Sequence, residues 1–508
     1  MKTGNKIVKM LAMTLAVTCF AFPATSSCKK GVSDEKTIVI DGGGDIGNFN
    51  TTVSMTKSEV NPFPYNTLET LCKEWEKQHP GYKVVVNKNS YGGSVGSLRP
   101  LFNAHTAPDI VYMNGSTVEE DKSKGWFVPL NKYLNSKNPY APQYEKWIDL
   151  YDTEEYTATS DGERYYVNLE RIPIGIIYNA DILKAAGYTD DKGNIKSLVS
   201  YSDFKEAQKC VAEYSAAHKD LNIKTFLTPY RWYDIYLESA LFGELLKTCD
   251  RNGDGHLDTE EWCYAYTKNY WGIDTPAYET YLGVVKDRCE YFPSGYGQLV
   301  PLTEFVSGKC AFIEGVGSTL RQISANSAVN FDYAITGYPQ ISKADIEAAG
   351  FDASCFTEEI RNGRRGSAGY GTSWWITNSA TDKGQETVDA CADLLMFLTA
   401  PEQNNRLIGD LGGGIPLNPE TEESVPQYLR PVLNMYLEDC KNPDKLAWGV
   451  ANSWNAFGAD YSSYFLNATY SYIDGEKSRS DLIKQLGNQI RGLVEQYIAE
   501  NDYDTSDW

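Results

Sequence analysis

Histidine is scarce, basic residues are outnumbered, and nothing beyond residue 22 is apolar for long enough to cross a bilayer. Four histidines in 508 residues leave little room for His-based catalysis. No His–Cys pair, paired-carboxylate motif or GxSxG elbow is present, so the sequence reads as that of a non-enzyme. The cysteines show no CxxC and no repeated framework. Of eleven, Cys19 and Cys28 belong to the N-terminal leader and its end, and the odd remainder cannot all pair within one chain. Several, such as Cys310 in an apolar run, read as small buried hydrophobes. Cys249 and Cys263 flank an acidic loop and could bridge it. Lys and Arg number 47 against 68 Asp and Glu, a net charge of −21. Such a surface repels phosphate backbones, which excludes nucleic acid as a partner and says nothing about the lining of a pocket.

What is present begins with the leader. Lys2, Lys6 and Lys9 precede an apolar run from Met10 to Phe22, then small residues and Cys28, the order of a secretory signal. Ala24-Thr-Ser-Ser-Cys28 resembles a bacterial lipobox, with Thr25 where an aliphatic residue is usual. It implies a lipid on Cys28, a short polar tether over 28–35 and an extracytoplasmic location at the membrane; simple secretion is the alternative. The remaining chain of about 480 residues has room for two large domains or three smaller ones. Its 42% hydrophobic and 23% charged residues suit a sizeable core.

Strand and helix signals alternate along the chain. Lys36–Asp41 reads as a first strand, followed by a glycine-rich loop. That loop contains GxGxxG, yet no helix start follows it, so a dinucleotide site is weak. Leu68, Leu71 and Trp75 have helical spacing over 66–79, and Tyr82–Asn87 reads as the next strand, making a parallel βαβ unit. Further strands are expected at Ile110–Met113, Gly175–Tyr178, Ala311–Glu314 and Trp374–Thr377. Helices are expected at Tyr201–Ala216, Tyr233–Thr248, Gln385–Leu398, Pro426–Cys440 and Arg479–Glu500. The class is α/β, with ligand sites where strands end in loops.

Eight motifs in order then carry a resemblance. They are Ala107-Pro-Asp-Ile110; Gly125-Trp-Phe-Val-Pro-Leu-Asn-Lys-Tyr-Leu134; Asp161-Gly-Glu-Arg-Tyr-Tyr166; the Tyr-Asn-Ala-Asp block within Ile176–Gly187; Ser202-Asp-Phe in place of W-x-E-F; Phe305–Gly315 around Gly-Lys-Cys-Ala; Thr399-Ala-Pro-Glu-Gln403; and Gly414-Ile-Pro416. Together they resemble extracellular solute-binding protein family 1, the carbohydrate receptors of ABC importers that include maltodextrin-binding proteins. The resemblance implies a two-lobe type II periplasmic-binding-protein fold with a hinged cleft. Lobe one would be 36–168 with 374–425, and lobe two 175–366 with 430–508. It also implies a monomeric carrier that holds a carbohydrate and delivers it to an ABC permease.

By position in that family, Asp45 and Asn114 lie in loops that contact ligand. Tyr230 and Trp232 are expected to stack on sugar faces, with Arg231 bonding hydroxyls or pairing with an acidic neighbour. Glu314 ends a strand where a polar contact is common, although Gly317 replaces the usual aromatic after it. One of Trp374 and Trp375 is expected to face the cleft and the other the core, since strand neighbours alternate. Trp454 is a further candidate, with surface packing as its alternative. Arg361, Arg364 and Arg365 could meet an anionic sugar, or simply balance an acidic surface.

Asp250–Glu261 fits the EF-hand template. Asp250, Asn252 and Asp254 take positions 1, 3 and 5, Gly255 the turn, and His256 offers its carbonyl. Asp258 takes position 9 and Glu261 the bidentate position 12. The expected cofactor is a structural Ca2+ in lobe two. Two other classes stay open: a secreted calcium-dependent polysaccharide-degrading enzyme, and a receptor of the same fold for a peptide, polyamine or metal chelate.

Overall fold

The structure, a computed structural model, describes residues 36–43, 49–88, 95–113, 121–152, 154–156, 158–159, 161–228, 231–356, 359–371, 373–419 and 422–508. Eleven strands are labelled in chain order. The first four are β1 (Lys36–Asp41), β2 (Tyr82–Asn87), β3 (Ile110–Met113) and β4 (Tyr166–Asn168). Next come β5 (Glu170–Asn179), β6 (Lys224–Leu227), β7 (Cys310–Val316) and β8 (Tyr333–Thr336). The last three are β9 (Ser367–Tyr370), β10 (Ser373–Ile376) and β11 (Ile415–Pro416).

They form two sheets. The first has the order β2-β1-β3-β10-β4, and the second β11-β5-β7-β6, with β8 and β9 also pairing with β5. β1 runs parallel to both β2 and β3, as the βαβ pattern predicts. The helix between β1 and β2, Thr67–Gln78, buries Leu68, Leu71, Cys72 and Trp75 at helical spacing. Glu76 ties that helix to β2 by accepting the Val84 N–H at 2.6 Å.

Each sheet has its own core. Ile38, Ile40, Trp75, Trp374 and Leu394 pack around the first, and Phe204, Phe226, Tyr233, Trp262, Phe312 and Tyr461 around the second. Ile415 and Val425 join Ile177 and Ile313 in a further cluster on the second sheet. The C-terminal helix Arg479–Glu500 buries Leu482, Leu486, Ile490 and Leu493, and Ser478 caps it by accepting the Asp481 N–H.

Three stretches of chain pass between the sheets. β4 runs through Leu169 into β5; β9, paired with β5, leads to β10, paired with β3 and β4; and β11 returns to pair with β5. A small set of adjacent backbone crossings is where hinge rotation concentrates its φ/ψ change. Among the described residues no helix is long and apolar enough to cross a membrane. Cys249 and Cys263 are both buried free thiols, not a bridged pair. Each packs as a small hydrophobe in the second core.

Candidate functional site

The crossing strands have two faces of different chemistry. On one face Arg171 is wholly engaged. Its Nε donates to Glu155 at 3.1 Å, and its terminal nitrogens donate to the Leu417 carbonyl at 2.8 Å and the Tyr370 hydroxyl at 2.7 Å. Arg364 joins this network, pairing with Asp152 at 2.7 Å, Glu155 at 3.4 Å and Glu154. Arg365 is held by Asp439 at 2.7 Å, and Arg361 donates to the backbone carbonyls of Pro443 and Asp444. The arginine cluster is therefore consumed by the protein itself, the bland alternative of the two. A cavity of about 480 Å3 on this face is lined by Arg171, Pro416, Tyr436 and Cys440.

The opposite face carries Glu170. Its carboxylate lies over Gly414 and its methylenes over Gly371, so that an added Cβ at Gly414 would sit 1.9 Å from Oε2. All three crossings thus touch one buried side chain. No hydrogen bond or ion pair reaches the Glu170 side chain among the described residues, and burial pushes its carboxyl up to about 7. This is also the side on which β1 ends. Phe49, after the β1 loop, packs edge-on against Tyr65, Tyr112 and Trp374. Burial, with Asp410 and Glu170 close by, pushes the Tyr65 phenol up, against a bond from the Leu68 backbone. Asp41, at the end of β1, is wholly buried, its Oδ2 without a partner among the described residues, and burial pushes it to about 7 against the Gly43 and Tyr112 backbone bonds.

The sequence-derived candidates distribute unevenly over this frame. Asp45, Asn114 and Tyr230, like Cys28, lie outside the described residues. Trp232 opens the helix Trp232–Phe242 and is half-buried. Arg231 is wholly buried and pairs with Asp234 at 2.7 Å, while donating to Thr469 at 2.8 Å. The Asp234 contact is the acidic-neighbour pairing. Arg288 shares Asp234, donating from Nε at 2.8 Å. Glu314, also buried, accepts the Tyr233 N–H at 2.8 Å and the Thr228 hydroxyl, a bracing role at the start of the helix. Burial raises its carboxyl, with Arg288 opposing.

Both tryptophans of β10 are wholly buried, which corrects the expectation that one faces the cleft. The first sheet has apolar layers on both faces: Trp374 enters the Phe49–Tyr112 cluster, and Trp375 packs on Phe127 and Tyr166. Trp454 is core rather than surface, edge-on to Phe465 and Tyr461.

The acidic loop is ordered by its own carboxylates. Asp250 accepts the N–H groups of Gly253 at 2.6 Å, Asp254 at 3.1 Å and Gly255 at 2.9 Å. Gly253 and Gly255 have φ of +74° and +85°, where a side chain would be strained. Glu261 accepts from Arg251 at 2.6 Å, Asn252 at 3.1 Å and Asp258 at 3.0 Å. Leu257 anchors the loop by donating its N–H to the Val450 carbonyl at 2.8 Å. Burial, then the Asp258 charge, pushes Glu261 up to about 7. Among the described residues no three His, Cys, Asp or Glu side chains converge as a metal group. The donor set suits a hard cation, with Asn252 and the His256 carbonyl completing it, although the carboxylates here face backbone amides.

Sequence reasoning passed over Glu170, Asp41, Tyr65 and Arg321. Glu170 carried a signal, an acidic residue inside the apolar stretch Val167–Ile177. Arg321 carried none.

Two sheets with separate cores, three crossings and a polar floor between them define a hinged two-lobe receptor of the type II periplasmic-binding-protein class. Residues 70–428 match the family model described as bacterial extracellular solute-binding protein, and the chain belongs to that family. Among solved structures it is similar to the sugar-binding protein MalE from Xanthomonas citri, with TM-score 0.60 and 15% identity over 92% of this chain and 100% of that one. MalE from Listeria monocytogenes, solved with maltose, gives 0.58 and 15% over 92% and 99%. A solute-binding protein of an ABC transporter from Thermotoga lettingae, solved with α-D-tagatose, gives 0.58 and 15% over 90% and 100%. At these identities the likeness is one of fold. No curated protein matches the chain in sequence.

Proposed function

We propose that the chain is the extracytoplasmic receptor of an ABC importer, capturing a sugar or oligosaccharide between its lobes and delivering it to the permease without chemical change. The observation that carries this reading is the triple crossing between two separately packed sheets, with a polar floor, in a member of an extracellular solute-binding family. A solute touching both lobes stabilises the closed arrangement by its differential affinity for it. The half-buried ring of Trp232 supplies an apolar platform for a sugar face. Lobe one comprises 36–168 with 374–425, and lobe two 175–366 with 430–508. Cys28 carries the lipid anchor, and the carrier works as a monomer. The Asp250–Glu261 loop holds a Ca2+ that braces lobe two.

A thermal-shift screen over defined mono- and oligosaccharides, followed by product analysis of each mixture, tests the reading. Stabilisation by saccharides that are recovered intact is the expected result. Cleavage products would make it an enzyme, and stabilisation only by peptides or polyamines would move the solute class.

A further inference from the structure

Among the described residues Arg321 is a cation without a carboxylate partner. It lies in the helix Gly317–Ala325, which follows β7, and is half-buried. Its guanidinium stands 4.3 Å from the centre of the Phe63 ring. Phe63 belongs to the segment between β1 and the helix Thr67–Gln78, so the contact joins the two lobes. At the helix start, Gly317 abuts the Gly413 carbonyl, next to the Gly414 that Glu170 covers. Arg321 therefore borders the same floor as Tyr65 and Glu170. No carboxylate lies within ion-pair distance of it among the described residues, and its buried Nε has no acceptor.

Among the described residues Arg430 shares this lack, its buried Nε also without a partner, whereas five other arginines are paired. Arg171, Arg231, Arg288, Arg364 and Arg365 each have a carboxylate within 4.0 Å. The chain carries 68 acidic residues against 47 basic ones, so counter-ions are plentiful. Removing a guanidinium from water without a paired anion costs free energy, which a ring face such as that of Phe63 offsets only in part. Burial indeed pulls its pKa down, opposed only by the Tyr428 and Tyr65 phenols.

We propose that Arg321 is the oxyanion-recognising group of the cleft, so that the solute is an acidic saccharide bearing a carboxylate or a sulfate ester. This rests on the saccharide reading above. A planar guanidinium matches both oxyanions with paired, charge-assisted hydrogen bonds, which are shorter and stronger than those to neutral hydroxyls. Stacking on Phe63 holds it in place before the solute arrives, lowering the ordering cost. Of the floor carboxyls, Glu170 is pushed up to about 7 by burial, which weakens the charge it sets against an oxyanion, and Asp410 accepts from the Thr67 hydroxyl at 2.7 Å.

Calorimetry on matched pairs tests it: a uronate oligosaccharide, its sulfated counterpart and the neutral oligosaccharide of the same backbone. The expected result is acidic binding at least about 10-fold tighter than neutral, weakening between about 50 and 500 mM salt. Arg321→Gln should erase the preference and Arg321→Lys keep part of it, in variants whose melting curves match the parent. The uronate and sulfate arms tell the two oxyanions apart. Neutral saccharides binding as tightly as acidic ones would overturn the inference and leave the receptor reading standing, as would a preference that survives Arg321→Gln. Should no saccharide of either kind bind, both fall together.

Discussion

Glu170 couples protonation to stability. Its folded value of about 7 lies above its ordinary 4.5 because burial disfavours the charge. Between those values the folded chain holds a proton that the unfolded chain releases, so stability falls as pH rises through that window. Above about pH 7 the full cost is present, on the order of 3–4 kcal/mol at most. Glu170→Gln should therefore raise the melting temperature at about pH 8 and leave it unchanged near pH 4. Parallel melting curves of variant and parent across pH would remove the account. Trp232 makes a different residue-level case. Losing a stacked ring costs about 1–3 kcal/mol of binding, so Trp232→Ala should weaken saccharide affinity by that amount in titration calorimetry. Unchanged affinity in a folded variant would make Trp232 a packing residue.

At the scale of elements, the helix Trp232–Phe242 is held by a buried ionic group rather than by amphipathicity alone. Asp234 neutralises both Arg231 and Arg288, and Glu314 supports the helix start. Asp234→Ala leaves two guanidiniums buried around a missing anion, a loss of about 3–5 kcal/mol. A urea midpoint within error of the parent would contradict this. The Asp250–Glu261 loop is the second such element. Bound calcium should raise the melting temperature with the logarithm of its concentration. Glu261→Ala should abolish that rise while sparing saccharide affinity. Equal melting curves in chelator and in millimolar calcium would sink the site. The helix itself shows why the loop's flank was read too long. Its regular α part stops at Phe242, and the chain continues as a 3-10 turn over Gly243–Lys247. An added Cβ at Gly243 would meet Leu446 at 2.6 Å, a close approach that hydrophobic spacing does not reveal.

At the scale of the molecule, the lipid proposed on Cys28 would keep the chain near a permease in the same membrane. Cys28→Ser should move the protein from the membrane fraction to the soluble fraction; a parent protein found wholly soluble would remove the lipid. Local periodicity sufficed for much of the fold. β1, β2 and β3 and the helix Arg479–Glu500 lie where alternation and helical spacing put them, and the ordered motifs pointed to the family. These are short-range properties, set by side-chain pattern against backbone geometry. Burial and partnership were not legible. Tryptophans 374 and 375 read as an in-out pair, yet both are core because the first sheet is covered on both faces. Arg231, Arg364 and Arg365 each leave two readings open in sequence, ligand contact or charge balance, and only the packed chain shows their carboxylates, 3 to 212 residues away. Glu170 and Arg321 emerge for the converse reason: whether a charge has a partner depends on what the distant chain brings beside it, which spacing along the sequence does not encode.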